Sequence, residues 1–126
     1  MSNNCILELS IMEICITAVS NNLDDAVDRR FGRCKFFIFI DPVTMKFEAV
    51  PNPAAGESGG AGINAATLVL THRPSAVITG LIGDNALKVL QASNTRVFSC
   101  ENMSVREAVN VYSSGKLNSV DAPNNQ

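Results

Sequence analysis

Few of the residues that usually announce an activity are present. The chain has no tryptophan, one tyrosine and one histidine, His72. A Ser/His or Cys/His nucleophile pair would have to be built on that single imidazole, and no serine or cysteine is placed by sequence to use it. The four cysteines, Cys5, Cys15, Cys34 and Cys100, are scattered with no C-x-x-C. Zinc ribbons and self-contained iron–sulfur sites draw their ligands from close pairs, so both are excluded. No apolar run reaches the roughly 20 residues of a membrane span, and no signal peptide is evident, so a reducing cytoplasm with free thiols is expected. The formal net charge of −2 lacks the basic excess of a general nucleic-acid binder. The expected partners include neither nucleic acid nor membrane, and the oligomeric state is open.

The composition is that of a folded domain, with 46% hydrophobic and 17% charged residues in 126. One core of that size needs neither disulfides nor a structural metal. Residues 1–11 are expected to be an extension outside the fold, because the first clear strand pattern begins at a second methionine, Met12. Residues 12–115 then form a single domain, and 116–126 a polar, frayed tail.

Between those limits the hydrophobic period changes. Met12 to Ala18 alternates, with Ile14, Ile16 and Ala18 on one face, which predicts a half-buried strand. Lys35 to Ile40 is an almost continuous apolar run, as in a central strand, and Asp41-Pro42 turns it into an antiparallel partner over Lys46 to Val50. From there the period becomes helical. Ile63, Ala66, Thr67 and Leu70 make one face of a helix that stops before Pro74. Ala76 to Ile78 and Arg96 to Ser99 are short strands separated by a helix over Asp84 to Gln91. A last helix is signed by the capping box Ser104-x-x-Glu107, an apolar stripe Val105, Ala108, Val109 and Tyr112, and Gly115 at its end. The order β-β-β-α-β-α-β-α implies an α/β fold with a mixed five-stranded sheet and three helices.

Two segments carry the chemistry. Asp28-Arg29-Arg30-Phe31-Gly32-Arg33-Cys34 combines cations with one thiol, and Ser58-Gly59-Gly60-Ala61-Gly62 runs straight into a helix. Arg30 and Arg33 offer forked donors for an anion, or else pair with Asp24, Asp25 and Asp28 as a solvated turn. Cys34, beside those cations, is either a thiolate ready for a soft metal or a small buried hydrophobe. Gly59, Gly60 and Gly62 allow either tight turning or an anion cradle at a helix N-terminus. Thr79 and Gly80 end a parallel strand, where ligands of open α/β sheets collect, as does the Ser99–Met103 loop. No Gly-Lys-Ser/Thr and no G-x-G-x-x-G supports a nucleotide fingerprint. His72 suits a helix C-terminus, and Cys15 and Cys100 read as core or edge residues. No residue is assigned a catalytic role.

Four ordered motifs carry a resemblance. They are Leu23-Asp24-x-x-Val27-Asp28-x-x-Phe31-Gly32-Arg33-Cys34-x-Phe36-Phe37, Gly59-Gly60-Ala61-Gly62, Thr79-Gly80-x-x-Gly83-x-Asn85-Ala86 and Val105-x-Glu107-Ala108 to Tyr112-x-x-Gly115. Over Met12 to Gly115 the chain resembles the dinitrogenase iron–molybdenum cofactor biosynthesis family. The resemblance implies a ribonuclease H-like fold and a non-enzymatic carrier of an anionic metal–sulfur cluster, of Fe–S or Mo–Fe–S type. Cofactor-synthesis or recipient metalloenzymes would be its partners. Arg30, Arg33, Cys34, Gly59, Gly60, Gly62, Thr79 and Gly80 would hold the cluster, with Cys34 as metal ligand. Two departures stand out. Arg30 occupies a place where nitrogenase-linked members often have histidine, so a cation replaces a neutral ligand. Asp84 stands where the family has proline, and could cap the helix that proline would begin. The alternatives are a regulatory domain binding a phosphate-containing metabolite and, less favoured, a nuclease on the same fold.

Overall fold

The computed structural model describes residues 13–56 and 59–124. The extension over 1–11, Met12 and Ser58 fall outside them. Strands β1 (Ile14–Ala18), β2 (Phe36–Ile40) and β3 (Phe47–Pro51) come first. They are followed by α1 (Ala61–Thr71), β4 (Ala76–Thr79), α2 (Asp84–Ala92), β5 (Arg96–Ser99), α3 (Val105–Ser113) and β6 (Asn118–Ser119). One mixed sheet has the order β3-β2-β1-β4-β5-β6. β1, β4 and β5 run parallel, while β2 and β3 form an antiparallel hairpin against β1.

The expected order of elements holds, with a correction at the end. The sheet has six strands rather than five, because Asn118–Ser119 pairs antiparallel with β5. The described part of the tail, 116–124, is therefore packed against the sheet. Val120 is buried, and its N–H donates to the Val97 carbonyl at 2.8 Å.

β1 is also more deeply placed than its alternation suggested. All five of its residues are buried, because both faces of the sheet are covered. Cys15, Phe37, Phe39, Val77 and Val97 pack on one face beneath α1 and α2. Ile14, Ile16, Ile38, Ile40 and Ile78 pack on the other against α3. Complete burial of such side chains contributes about 1.5–3 kcal/mol each, so the two layers dominate the fold's stability.

α1 is rotated relative to its predicted face. It buries Ala61, Ala65, Ala66 and Val69, leaving Ile63 42% exposed and Thr67 in solvent. Small side chains let this helix lie close to the sheet and to α2, and a face led by Ile63 would hold it away. His72 closes α1 as its C-cap, with its ring stacked on Phe39 at 3.8 Å between centroids.

The mixed topology gathers the loops that matter at one end. The carboxyl ends of β1, β3, β4 and β5 all point the same way, so the segments 19–35, 52–56, 59–60, 80–83 and 100–104 meet there.

Candidate functional site

At that end lies a cleft of about 510 Å³, lined by three segments. They are the arm Arg30–Arg33, the start of α1 from Gly59 to Ile63, and Leu81 together with the start of α2 from Gly83 to Ala86. The glycine-rich loop and the arginine arm, far apart in sequence, thus face each other.

Among the described residues, two of the three helix N-termini open into this cleft, and neither has a side-chain cap. α1 begins after Gly60, held at φ 74°, and has no acidic residue in its first turn. α2 begins after Gly83. The third helix is sealed. Ser104 and Glu107 of α3 complete the capping box, and the N–H groups of Val105 and Arg106 donate to the Asp25 and Leu23 carbonyls. The contrast is chemical: the first turns of α1 and α2 point N–H groups and positive dipole ends into the cleft.

The arginines add formal charge. Asp24 pairs with Arg106 at 2.8 Å, Asp25 accepts from the Ser20 hydroxyl at 2.6 Å, and Asp28 accepts from the backbone N–H of Arg30 at 3.1 Å. Arg33 Nη1 lies 3.5 Å from the Ala55 carbonyl, which ties the arm to the loop before α1. Asp84 is the acidic group on the cleft wall, and Lys88 pairs with it at 3.1 Å. It is the first residue of α2 and makes no capping bond, contrary to expectation.

Of the predicted site residues, Arg30, Arg33, Gly59, Gly60 and Gly62 reach the cleft. Three do not. Cys34 is buried in the core with no exposed surface, and Asn52 Nδ2 donates to its carbonyl at 2.9 Å and approaches its sulfur at 3.8 Å. Burial first, and the charge of Asp28 second, push its thiol well above the ordinary range. The expected lowering by arginines fails because adjacent residues of the arm point apart, Arg33 to the cleft and Cys34 inward. Burial and the raised thiol pKa both disfavour the metal-ligand role expected of it. Thr79 is likewise buried and accepts a hydrogen bond from the Thr17 hydroxyl at 2.9 Å.

Gly80 is a packing residue. A Cβ there would lie 2.7 Å from the Arg29 carbonyl oxygen and 2.8 Å from its Cα. Only glycine lets the arm cross so closely, with Leu81 N–H donating to the Arg29 carbonyl and Phe31 N–H to the Leu81 carbonyl. Gly32 plays the same part against α1, where a Cβ would be 3.0 Å from the Gly62 nitrogen. The Ser99–Met103 loop lies at the same end of the sheet but does not line the cleft; Val27 N–H donates to the Met103 carbonyl.

Asn52 and Asn85 escaped the sequence reading in different ways. Asn52 fixes the arm from within, its Nδ2 also reaching the Gly32 carbonyl at 3.1 Å, and no local pattern marks it. Asn85 was visible within the third motif and lines the cleft. Among the described residues, no three of His, Cys, Asp and Glu converge to hold a metal ion, and no helix is long and apolar enough to cross a membrane.

The chain belongs to the dinitrogenase iron–molybdenum cofactor family, whose profile matches residues 12–115. It is similar to the orange protein of Desulfovibrio gigas, solved in its apo form, at 37% identity and a TM-score of 0.86, covering 90% of this chain and 97% of that one. A candidate NifB protein from Thermotoga superposes with a TM-score of 0.79 at 25% identity, covering 91% and 98% of the two chains. An uncharacterised protein of Methanocaldococcus jannaschii is 26% identical over 115 residues, 89% of this chain and 94% of its own length.

Proposed function

We propose that this member of the family is a carrier, not an enzyme, and that its cargo is an anionic metal–sulfur cluster of Mo–Fe–S or Fe–S type, such as a precursor of the iron–molybdenum cofactor. One observation carries the reading: two uncapped helix N-termini and two arginines, Arg30 and Arg33, line a single cleft. That donor set fits an anion, and the sulfides of a cluster accept hydrogen bonds from N–H groups and arginine forks. With Cys34 enclosed, the cluster is held by charge and hydrogen bonds, and its metals keep their own sulfide ligands. Such a grip suits transfer, because no covalent bond must break on delivery to a cofactor-synthesis or recipient metalloenzyme. The same reading keeps the ribonuclease H-like arrangement for the five longer strands, which their order and mixed sense support. Free thiols and the absence of close cysteine pairs favour the cytoplasm.

The test is anaerobic incubation with tetrathiomolybdate and with iron–sulfur clusters, followed by desalting and metal analysis. Near-stoichiometric retention by the parent and by Cys34→Ala, with loss in Arg30→Ala/Arg33→Ala, supports the carrier. A cleft of N–H donors also suits phosphate. No metal retention combined with a thermal shift on adding nucleotides would replace the carrier with a metabolite-binding domain.

A further inference from the structure

The segment that follows β6 touches the cleft from behind. β6 is anchored on β5, and Val120 is buried in the layer that also holds Leu87 and Leu90 of α2. The chain then passes the end of α2, where Gln91 Nε2 donates to the Asp121 carbonyl at 3.4 Å. At Asn124 it meets the β4–α2 connection. There Ile82 N–H donates to Asn124 Oδ1 at 2.8 Å, Asn124 N–H donates to the Ile82 carbonyl at 3.2 Å, and Asn124 Nδ2 donates to the Gly80 carbonyl at 3.3 Å.

That connection is a rail between two holders. On one side the arginine arm grips Leu81 through the Arg29 carbonyl and the Phe31 N–H. On the other side Asn124 grips Gly80 and Ile82. The next residues, Gly83 to Ala86, form the α2 wall of the cleft. The spacing between that wall and the arm is therefore fixed from outside the cleft by a residue beyond the span the family profile matches, which ends at 115.

We propose that residues 121–124 are a latch on the cleft, with Asn124 the positioning residue that sets the α2 N-terminus against the arginine arm. Resting on the carrier reading, the latch governs how fast the cargo leaves. Val120 keeps the strap attached to the core, so the last residues can lift by breaking a few exposed or half-exposed hydrogen bonds without disturbing either apolar layer. Openings of this kind cost far less than global unfolding. Asn124 touches no cargo; it acts through the loop it holds.

Two variants test this, Asn124→Ala and a chain ending at Asp121, both of which keep Val120. Amide hydrogen exchange is measured without cargo, and release of tetrathiomolybdate is followed after loading. Loss of these bonds is expected to lower protection of Ile82 by about tenfold or more. Smaller losses are expected at Leu81 and Phe31, and none at Val97. Release should quicken by a comparable factor while the melting temperature stays near that of the parent. Unchanged protection at Ile82 overturns the latch, and so does faster exchange with unchanged release, which would leave Asn124 a purely structural contact. A parent that retains no thiomolybdate overturns the carrier reading instead, and the exchange arm still decides whether Asn124 positions the loop.

Discussion

Gly80→Ala is the sharpest test of how the cleft is assembled. The added methyl would sit 2.7 Å from the Arg29 carbonyl oxygen and 2.8 Å from the Arg29 Cα, where ordinary contacts lie at 3.4–4 Å. Both obstacles are backbone, so no rotamer change relieves the overlap, and the arm must move outward by something under 1 Å. Overpacking of this kind costs about 1–3 kcal/mol. The displacement also breaks or stretches the two hydrogen bonds that join Leu81 to Arg29 and Phe31, at about 1 kcal/mol each. The sum is about 3–5 kcal/mol, a large share of a typical domain's stability. Urea unfolding followed by circular dichroism measures it, with Gly59→Ala as control, since a methyl there meets nothing within 4 Å. Gly80→Ala should lower the midpoint strongly while Gly59→Ala leaves it unchanged. A Gly80→Ala variant within 1 kcal/mol of the parent would refute the claim that this crossing requires glycine.

Cys34 should not react with thiol reagents in the folded protein and should become reactive only on unfolding, which stopped-flow labelling with and without denaturant will show. Binding through Arg30 and Arg33 should weaken as salt rises from about 0.01 to 0.15 M, over which the screening length falls from about 30 to 8 Å. A flat salt profile of thiomolybdate retention would remove the charge argument. Stability should fall as pH rises above about 8.5. There the unfolded thiols ionise, while burial keeps Cys15 and Cys34 protonated in the fold. The folded state then binds more protons than the unfolded one, so each such thiol contributes a loss of up to ~1.4 kcal/mol per pH unit. Urea midpoints at pH 8 and 10 should diverge less in Cys15→Ala/Cys34→Ala than in the parent.

Local patterns were legible where the physics is local. The capping box of Ser104 and Glu107 forms as read, and the apolar run before Asp41 is a strand with both faces covered. The glycine loop joins the cleft because β3 runs parallel to β1, a consequence of the hairpin readable from Asp41-Pro42. What stayed hidden depends on long-range placement. β6 is two polar residues, paired with β5 through the backbone, with Leu117 and Val120 beside it as the apolar signs that the tail is packed. Cations near Cys34 in sequence indicate nothing about which way the thiol turns, and the core claimed it. Thr79 and Gly80 stand at the right end of the right strand, but one is spent on Thr17 and the other on the passage of Arg29. The face of α1 was misread because Ile63 outweighs alanine on any hydrophobic scale, while close packing of that helix selects alanine.

The unequal finishing of the three helices has a consequence for the lifetime of the protein in a cell. Leaving the cap to glycine instead of a capping side chain forgoes roughly a few tenths of a kcal/mol, and α1 at Gly60 and α2 at Gly83 both do so. An anion seated there supplies the missing acceptors, and anything that binds only the folded chain raises its stability by mass action. Quality control removes proteins according to the fraction unfolded. On the proposed carrier reading, loaded molecules would then outlast unloaded ones, and the abundance of the protein would follow the supply of cargo without any dedicated regulator.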